Sequence, residues 1–236
     1  PSTTSGRGIR SRSCSAPPRA FKAWLLDFGA SIRQFFTNPV AVLLMCVFVG
    51  ANFVAAIFLT WLPTFLKRKF GMSLAHAGFS GTAYYNMAAA AGVLLGGVLA
   101  DRFARRHRAG RMMTQAIGLF LGVPFIFLTG WTRSVPVLVL AMTGFGLFKG
   151  LYDANIWASL HDFVRPERRA SSVGFMNSVA WIGGSSAPIA VGLVSERYGM
   201  SVAISASSVV YLFVGLILVA GIVLVNRSRG GQPARG

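Results

Sequence analysis

A lysine and an aspartate stand one helical turn apart in a stretch that is otherwise apolar. Lys149 and Asp153 lie within the run from Val135 to Leu160, and their spacing puts both on one face of a helix. This pair could bind an anionic group through Lys149 or relay a proton through Asp153, with Tyr152 adding a hydroxyl group. The alternative is an ion pair that only offsets its own burial cost.

A second unusual stretch is GVLADRFARR, in which one acid stands between an apolar run and a cluster of arginines. Gly97 begins the stretch, and Arg102, Arg105 and Arg106 follow the acid, Asp101. The carboxylate of Asp101 could meet a helix N-terminus, where the partial positive charge favours an anion. The plain alternative is a helix end followed by a solvated basic loop.

Signatures of catalysis or metal binding do not occur in this sequence. It has no Gly-x-Ser-x-Gly elbow, no His and Cys at metal-ligand spacing, and no phosphate-binding Gly-Lys-Ser/Thr loop. Its two cysteines are not expected to form a disulfide, because Cys14 stands in a polar segment and Cys46 stands in an apolar run. We therefore expect neither an enzyme nor a bound cofactor or metal.

The composition indicates which solvent surrounds these residues. The chain is 54% hydrophobic and only 12% charged, with a mean hydropathy of +0.59, whereas soluble domains are about a quarter charged. Six apolar runs are each close to the ~20 residues that a membrane-spanning helix needs. They are Pro39–Leu62, Phe79–Ala100, Met112–Trp131, Val135–Leu160, Ser172–Val194 and Val202–Val225. The sequence thus predicts an all-α membrane protein with six transmembrane helices.

The basic residues predict how these spans are oriented. The formal net charge is +17, and most lysines and arginines fall on the side that also holds both termini, which the positive-inside rule makes cytoplasmic. Those on the opposite side are Lys67, Arg68, Lys69, Arg133 and Arg197. We expect a multi-pass protein of a cell membrane, namely a bacterial inner membrane. Because the arginines flank spans and lack interleaved aromatic residues, no nucleic-acid partner is expected.

Three segments are predicted along the chain. Residues 1–37 read as a cytoplasmic linker, rich in Ser, Arg, Gly and Pro, with an amphipathic helix over Phe21 to Phe36 that lies on the lipid bilayer. Residues 38–226 form the six-span domain, and residues 227–236 form a cytoplasmic tail. A start at Pro1 with such a linker is typical of the middle of a longer protein.

An internal repeat relates the first three spans to the last three. GVLADRFA ends the second span and GLVSERYG, 95 residues later, ends the fifth. Pro39 and Pro136 open the first and fourth spans with almost the same offset. Three spans per copy force the two copies into opposite orientations, so the pattern predicts an inverted 3+3 repeat of the kind found in transporters.

Small residues predict where helices approach closely or bend. Ala88, Gly92, Gly96 and Ala100 recur every four residues and give the second span a smooth stripe for helix packing. In the fifth span, Gly183, Gly184 and Pro188 are suited either to close packing or to bending, and helix packing is the plainer interpretation.

The stretch GVLADRFARR resembles the loop signature of the major facilitator superfamily, Gly-x-x-x-Asp-Arg/Lys-x-Gly-Arg-Arg/Lys, with Ala104 in place of the later glycine. RPERRASSVG, residues 165–174, is similar to a later loop of the same family. The resemblance covers residues 38–226 and implies the C-terminal half of a twelve-span transporter, whose N-terminal six-helix half is missing here. It also implies that Asp101, with Gly97 and the three arginines, forms a conformational latch against that half.

In the family the first, second, fourth and fifth spans of a half line the substrate cavity. Carried over to this chain, the resemblance places polar residues of those spans at the cavity beside Lys149, Tyr152 and Asp153. They are Asn52, Tyr85, Asn177 and Trp181. Tyr84 and Tyr85 must point to different sides, so only one of them can face the cavity. Asn177 and Trp181 share a face of the fifth span, although Trp181 is equally suited to helix packing.

These features together predict a secondary active transporter that works by alternating access. Lys149 favours a small organic anion as substrate, with a coupling proton or ion as in a symporter. One alternative is a drug or lipid exporter that uses Trp181, the tyrosines and apolar walls. Another is a membrane module or inactive fragment that transports nothing.

Overall fold

The computed structural model describes residues 29–30, 32–33, 35–71 and 73–227, and only the backbone of residues 74–81. Most of the predicted amphipathic helix, Cys14 and the tail after residue 227 lie outside the described residues. The helices are α1 (Pro39–Phe70), α2 (Leu74–Ala104), α3 (Gly110–Trp131), α4 (Val135–Phe163), α5 (Arg169–Ser185), α6 (Ala187–Tyr198) and α7 (Met200–Arg227). A 3-10 turn at Pro166–Arg168 precedes α5.

These helices form six segments that are long and apolar enough to cross a membrane, as the six apolar runs predicted. The fifth segment consists of two helices, α5 and α6, which meet at Ser186. Pro188 stands in the first turn of α6 and has no N–H to donate to the preceding helix. The backbone N–H of Ser186 bonds to the carbonyl groups of Gly183 and Gly184 instead. Of the two alternatives for these residues, the structure thus shows an interruption of the span at Ser186.

Helix α1 continues past the apolar run that ends at Leu62 and stops at Gly71, where φ is 66°. In this last part of the helix, Lys69 contacts the surface of the bundle. Its Nζ donates to the carbonyl of Gly130 at 2.6 Å and lies 4.9 Å from the ring centroid of Phe65. The ammonium thus stabilises the partial negative charge at the end of α3, which gives one of the three basic residues at this end of α1 a structural role.

The helices pack in a pattern that relates the two repeats. The first helix of the chain, α1, packs against α5 and α7, which follow the fourth span. The opening helix of the second repeat, α4, packs against α2 and α3 of the first repeat. The two closing helices, α3 and α7, pack against each other. The first helix of each repeat therefore packs mainly against helices of the other repeat. Such an exchange is expected where a twofold axis in the membrane plane relates the two repeats.

Interlocking glycines bring α2 and α4 into backbone contact. A Cβ added to Gly92 would lie 2.0 Å from the carbonyl oxygen of Leu147, and one added to Gly150 would lie 2.1 Å from that of Ala89. A Cβ added to Gly96 would lie 2.8 Å from the carbonyl oxygen of Leu151. The small-residue stripe predicted on the second span is thus a packing surface, as expected for helices that associate in a bilayer.

Buried polar side chains join α2, α3 and α4 near one end of this contact. The side-chain amide of Asn155 donates to the carbonyl of Gly96 at 3.2 Å and to that of Leu151 at 3.1 Å. Gln115, fully buried on α3, donates to the carbonyl of Asn155 at 3.0 Å and to the hydroxyl of Ser159. These bonds hold three helices at fixed distances.

Candidate functional site

The ion pair predicted on the fourth span is present on α4. Lys149 Nζ donates to Oδ2 of Asp153 one turn further along the helix. The Lys149 side chain is 14% exposed and that of Asp153 is 38% exposed. The cation is therefore largely enclosed, whereas its counterion can be reached from outside.

Lys149 lines a cavity of about 170 Å³ between α1, α2 and α4. Helix α2 contributes Thr82, Tyr85 and Asn86, so the lysine shares the cavity with a phenol and a carboxamide. Helix α1 forms the apolar wall with Ala55, Phe58, Leu59, Leu62 and Pro63. Small-molecule sites usually measure ~300–1,000 Å³, so this cavity has room for one charged group of a ligand.

Pro63 stands within α1 and lines the cavity. Proline lacks an N–H and cannot donate to the carbonyl four residues earlier, which here belongs to Leu59. Leu59 is 70% exposed and also lines the cavity. Helix α1 therefore lacks one of its regular backbone hydrogen bonds where it borders the cavity.

Tyr85 reaches this cavity because of the glycine contact between α2 and α4. A Cβ on Gly146 would lie 2.3 Å from the carbonyl oxygen of Tyr85, so the two backbones touch one turn before Lys149. The Tyr85 ring packs 5.7 Å from that of Phe145. Its neighbour Tyr84 is 47% exposed and is not among the residues that line the cavity, so the two tyrosines do point to different sides.

Tyr152 lies in the bundle core and not in the Lys149 cavity. Its side chain is fully buried, and its hydroxyl group has no hydrogen-bond partner among the described residues. The same is true of Tyr211 on α7, and the ring centroids of Tyr211 and Phe145 are 5.7 Å apart. Tyr211 was not predicted as a site residue, and it does not line the Lys149 cavity.

The other predicted polar residues are apart from Lys149. Asn52 donates its side-chain amide to the carbonyl of Phe48 at 2.8 Å, within α1 itself. Asn177 and Trp181 lie on the exposed face of α5, where Trp181 is 64% exposed. None of the three lines the Lys149 cavity.

The stretch around Asp101 ends α2 and leads into the turn before α3. Asp101, Arg102, Arg105 and Arg106 are exposed, and Asp101 forms no ion pair with any described residue. A Cβ on Gly97 would meet nothing within 4 Å. The carboxylate and the glycine thus face open space at the helix end.

Two of the six spans are much less covered than the others. In the second span only 17% of an apolar stretch of 18 residues is buried, and in the fifth span 22%. In the other four spans the buried share is 39% to 50%. Their exposed side chains are large and apolar. They include Met87, Leu94 and Val98 on α2, and Trp181, Ile182, Ile189 and Leu193 on α5 and α6.

Six spans, an inverted repeat and a charged cavity between helices define a multi-pass membrane protein with the architecture of a transporter half. The chain belongs to the Major Facilitator Superfamily, whose family model matches residues 9–188 and, in an overlapping second match, residues 70–235. Both matches contain the cavity helices α2 and α4.

Several transporters are similar to this chain. The D-galactonate transporter of Escherichia coli O6:H1 is 28% identical over 186 residues, which cover 75% of this chain and 43% of that protein. The "Probable sulfoacetate transporter SauU" of Cupriavidus necator is 30% identical, covering 61% and 34%. The "Quinolone resistance transporter" of Acinetobacter baumannii is 33% identical, covering 67% and 35%. The chain spans less than half the length of these relatives.

Proposed function

We propose that this chain is the C-terminal half of a secondary active transporter that moves a small organic anion by alternating access. The observation that carries the proposal is the position of Lys149, an enclosed cation on the wall of a cavity between three helices. Two relatives are named for carboxylate or sulfonate substrates, and such a charged group matches the lysine. The substrate leaves chemically unchanged, so no enzymatic step is assigned.

The anionic group of the substrate competes with Asp153 for Lys149. In a site of low dielectric constant one ion pair is strong, so the lysine binds either its own aspartate or the ligand. Tyr85 and Asn86 supply hydrogen-bonding groups beside it. A coupling proton would act at Asp153, because neutralising this carboxylate releases Lys149 to the substrate.

The remaining half of the transporter completes the site. We assign its contact surface to the exposed apolar faces of α2 and of α5 with α6, which places Asn177 and Trp181 at the interface. Asp101 acts as the latch, with Gly97, Arg102, Arg105 and Arg106, because its carboxylate has no partner among the described residues. Asn52 and Tyr152 then support the cavity from α1 and from the core.

The protein is proposed to lie in a bacterial inner membrane with both ends of this chain in the cytoplasm. The basic residues favour this orientation. Residues 1–37 would link the halves, residues 38–226 would form the membrane domain, and residues 227–236 would form the tail.

A drug exporter is the second candidate. It is favoured by the quinolone resistance transporter among the relatives and by the exposed aromatic and aliphatic side chains of α5, Trp181 and Ile182. In that case the apolar faces would bind the substrate, and the ion pair of Lys149 with Asp153 would have a structural role only.

Transport assays with the complete transporter in proteoliposomes separate these functions. We expect Lys149→Ala to lower the uptake of sugar-acid anions at least tenfold, whereas Lys67→Ala, which removes an equal charge from an exposed position, leaves uptake unchanged. Normal anion uptake by Lys149→Ala would refute the anion proposal. Export of quinolones by the same variant would favour the exporter, and no transport of either class would favour a module that does not transport.

A further inference from the structure

A second cavity lies at the opposite end of α1 from the Lys149 cavity. It measures about 180 Å³ and is formed where α1 begins, α4 ends and α5 begins. Its polar lining residues are Thr37, Asn38, Arg165, Arg168 and Ser172, and its apolar ones are Phe35, Ala41, Phe163 and Val164. From Ala41 to Ala55, at the Lys149 cavity, the distance along the helix is about 20 Å, so the two cavities are separate.

The walls of this cavity are held in place by specific contacts. Asn38 caps α1 by accepting a hydrogen bond from the N–H of Val40 at 3.1 Å, while its amide donates to the carbonyl of Phe163 at 2.8 Å. Phe35 is buried, and its ring lies 5.6 Å from that of Phe175 on α5. The three helix ends are thus joined around the cavity.

Two cations of the cavity have no counterion among the described residues. Arg165 and Arg168 form no ion pair with any described residue, and the same is true of the intervening Glu167. Their neighbour Arg169 donates to the carbonyl of His161 at 3.0 Å, and its buried Nε has no partner in the described part of the chain. Guanidinium groups present paired donors that match the oxygens of a phosphate.

The apolar side of the cavity distinguishes a lipid from a soluble anion. Phe163 and Val164 stand beside the arginines, and Phe36, next to the buried Phe35, is 53% exposed. The cavity lies where membrane-spanning helices end, which is the level of lipid headgroups. Basic pockets between helices at this level are suited to anionic headgroups.

We infer that this cavity, lined by Arg165 and Arg168, binds the phosphate group of an anionic phospholipid. The acyl chains lie along the neighbouring apolar side chains, and Asn38 and Ser172 add hydrogen-bonding groups. The lipid would hold the loop between α4 and α5 against the start of α1. This inference does not rest on transport.

Thermal unfolding of the full chain in lipid nanodiscs tests the site. The fraction of phosphatidylglycerol is raised in a phosphatidylcholine background, and inorganic phosphate is added in a parallel series. We expect saturable stabilisation by phosphatidylglycerol and none by inorganic phosphate. The double variant Arg165→Gln/Arg168→Gln should need about thirtyfold more anionic lipid, since each basic residue near the headgroups contributes roughly a fivefold effect.

Matched variants make the outcome specific. Arg133→Gln/Arg227→Gln removes the same charge elsewhere and should respond to phosphatidylglycerol as the wild type does. Arg165→Lys/Arg168→Lys keeps the charge and hence the fold, and it should show an intermediate response because the paired donors are lost. If the Arg133/Arg227 control lost as much of the stabilisation by phosphatidylglycerol as Arg165→Gln/Arg168→Gln does, the effect would be a general charge attraction, and the proposal would be overturned. Stabilisation by inorganic phosphate, or a wild-type response in both variants of Arg165 and Arg168, would also overturn it.

Discussion

Replacing Gly146 by alanine tests whether backbone contact between α2 and α4 builds the Lys149 cavity. Gly146 faces the backbone of Tyr85, and the added Cβ would lie 2.3 Å from its carbonyl oxygen. Carbon and oxygen atoms in contact are normally ~3.5 Å apart. The two helices must therefore separate by about 1 Å, because neither backbone can rotate away as a side chain could.

The magnitude follows from the cost of overpacking. One extra methyl group in a tightly packed contact costs about 1–3 kcal/mol. For a chain of this size each kcal/mol corresponds to a change of about 2–4 °C in Tm. Gly146→Ala should therefore lower the Tm of the chain by about 2–12 °C. In the complete transporter it should also lower uptake, because Tyr85 moves away from Lys149.

The assay is thermal unfolding in one fixed detergent or nanodisc, followed by circular dichroism. The control is Gly174→Ala, since Gly174 is also in a helix but a Cβ there meets nothing within 4 Å. That variant should melt at or slightly above the wild-type temperature because alanine favours the helix. If Gly146→Ala has the same Tm as Gly174→Ala, then α2 and α4 do not approach each other as closely at Gly146 as described here.

Three further predictions concern single contacts. Lys69→Met should lower the Tm of the chain, because the hydrogen bond from the ammonium to Gly130 contributes about 1.5–3 kcal/mol. Lys67→Met changes an exposed position and should leave the Tm unchanged, so equal Tm values for the two variants would contradict the role of Lys69. Asn155→Leu removes the amide that bonds to Gly96 and should destabilise the chain by about 1–3 kcal/mol in chemical unfolding, whereas Asn177→Leu on the exposed face should have no such effect. Trp181→Ala should change the stability of the chain by less than about 0.5 kcal/mol, and a large loss would mean that Trp181 packs in the core.

The sequence predicted the features that depend on one helix at a time. Hydropathy located all six spans, because a bilayer demands long apolar segments whatever the tertiary packing. The spacing of Lys149 and Asp153 predicted their pairing, which is local to α4. Gly183, Gly184 and Pro188 allowed either packing or bending of the fifth span, and the interruption at Ser186 follows from the missing N–H of Pro188, which acts within its own helix.

Features that depend on how helices rotate about their axes were not predictable in the same way. Tyr152 stands only three residues from Lys149, yet its side chain is in the core while Lys149 lines the cavity. The sequence gives the angle between two side chains around a helix axis. It does not give which side of the helix faces the cavity. Asn52 likewise bonds within its own helix, and Tyr211 packs against Phe145 from a helix that the resemblance placed outside the cavity.

The continuation of α1 beyond the apolar run was not predictable for a related reason. A run of Lys67, Arg68 and Lys69 is read as the end of an apolar segment, because charged groups leave hydrocarbon. A long side chain can keep its backbone in the helix and carry its ammonium to a polar partner. Here that partner is a carbonyl of α3, 61 residues away in sequence, which no local pattern reveals.

The exchange of α1 and α4 between the repeats affects how the chain assembles during synthesis. When α1, α2 and α3 have entered the membrane, α1 lacks α5 and α7, and the glycine face of α2 lacks α4. Helices α2 and α3 therefore lack their main packing partner until α4 arrives, and α1 lacks its partners until α5 and α7 follow. A chain cut in the loop at residues 132–134 should yield two unstable pieces when each is made alone, and a stable bundle when both are made in the same membrane.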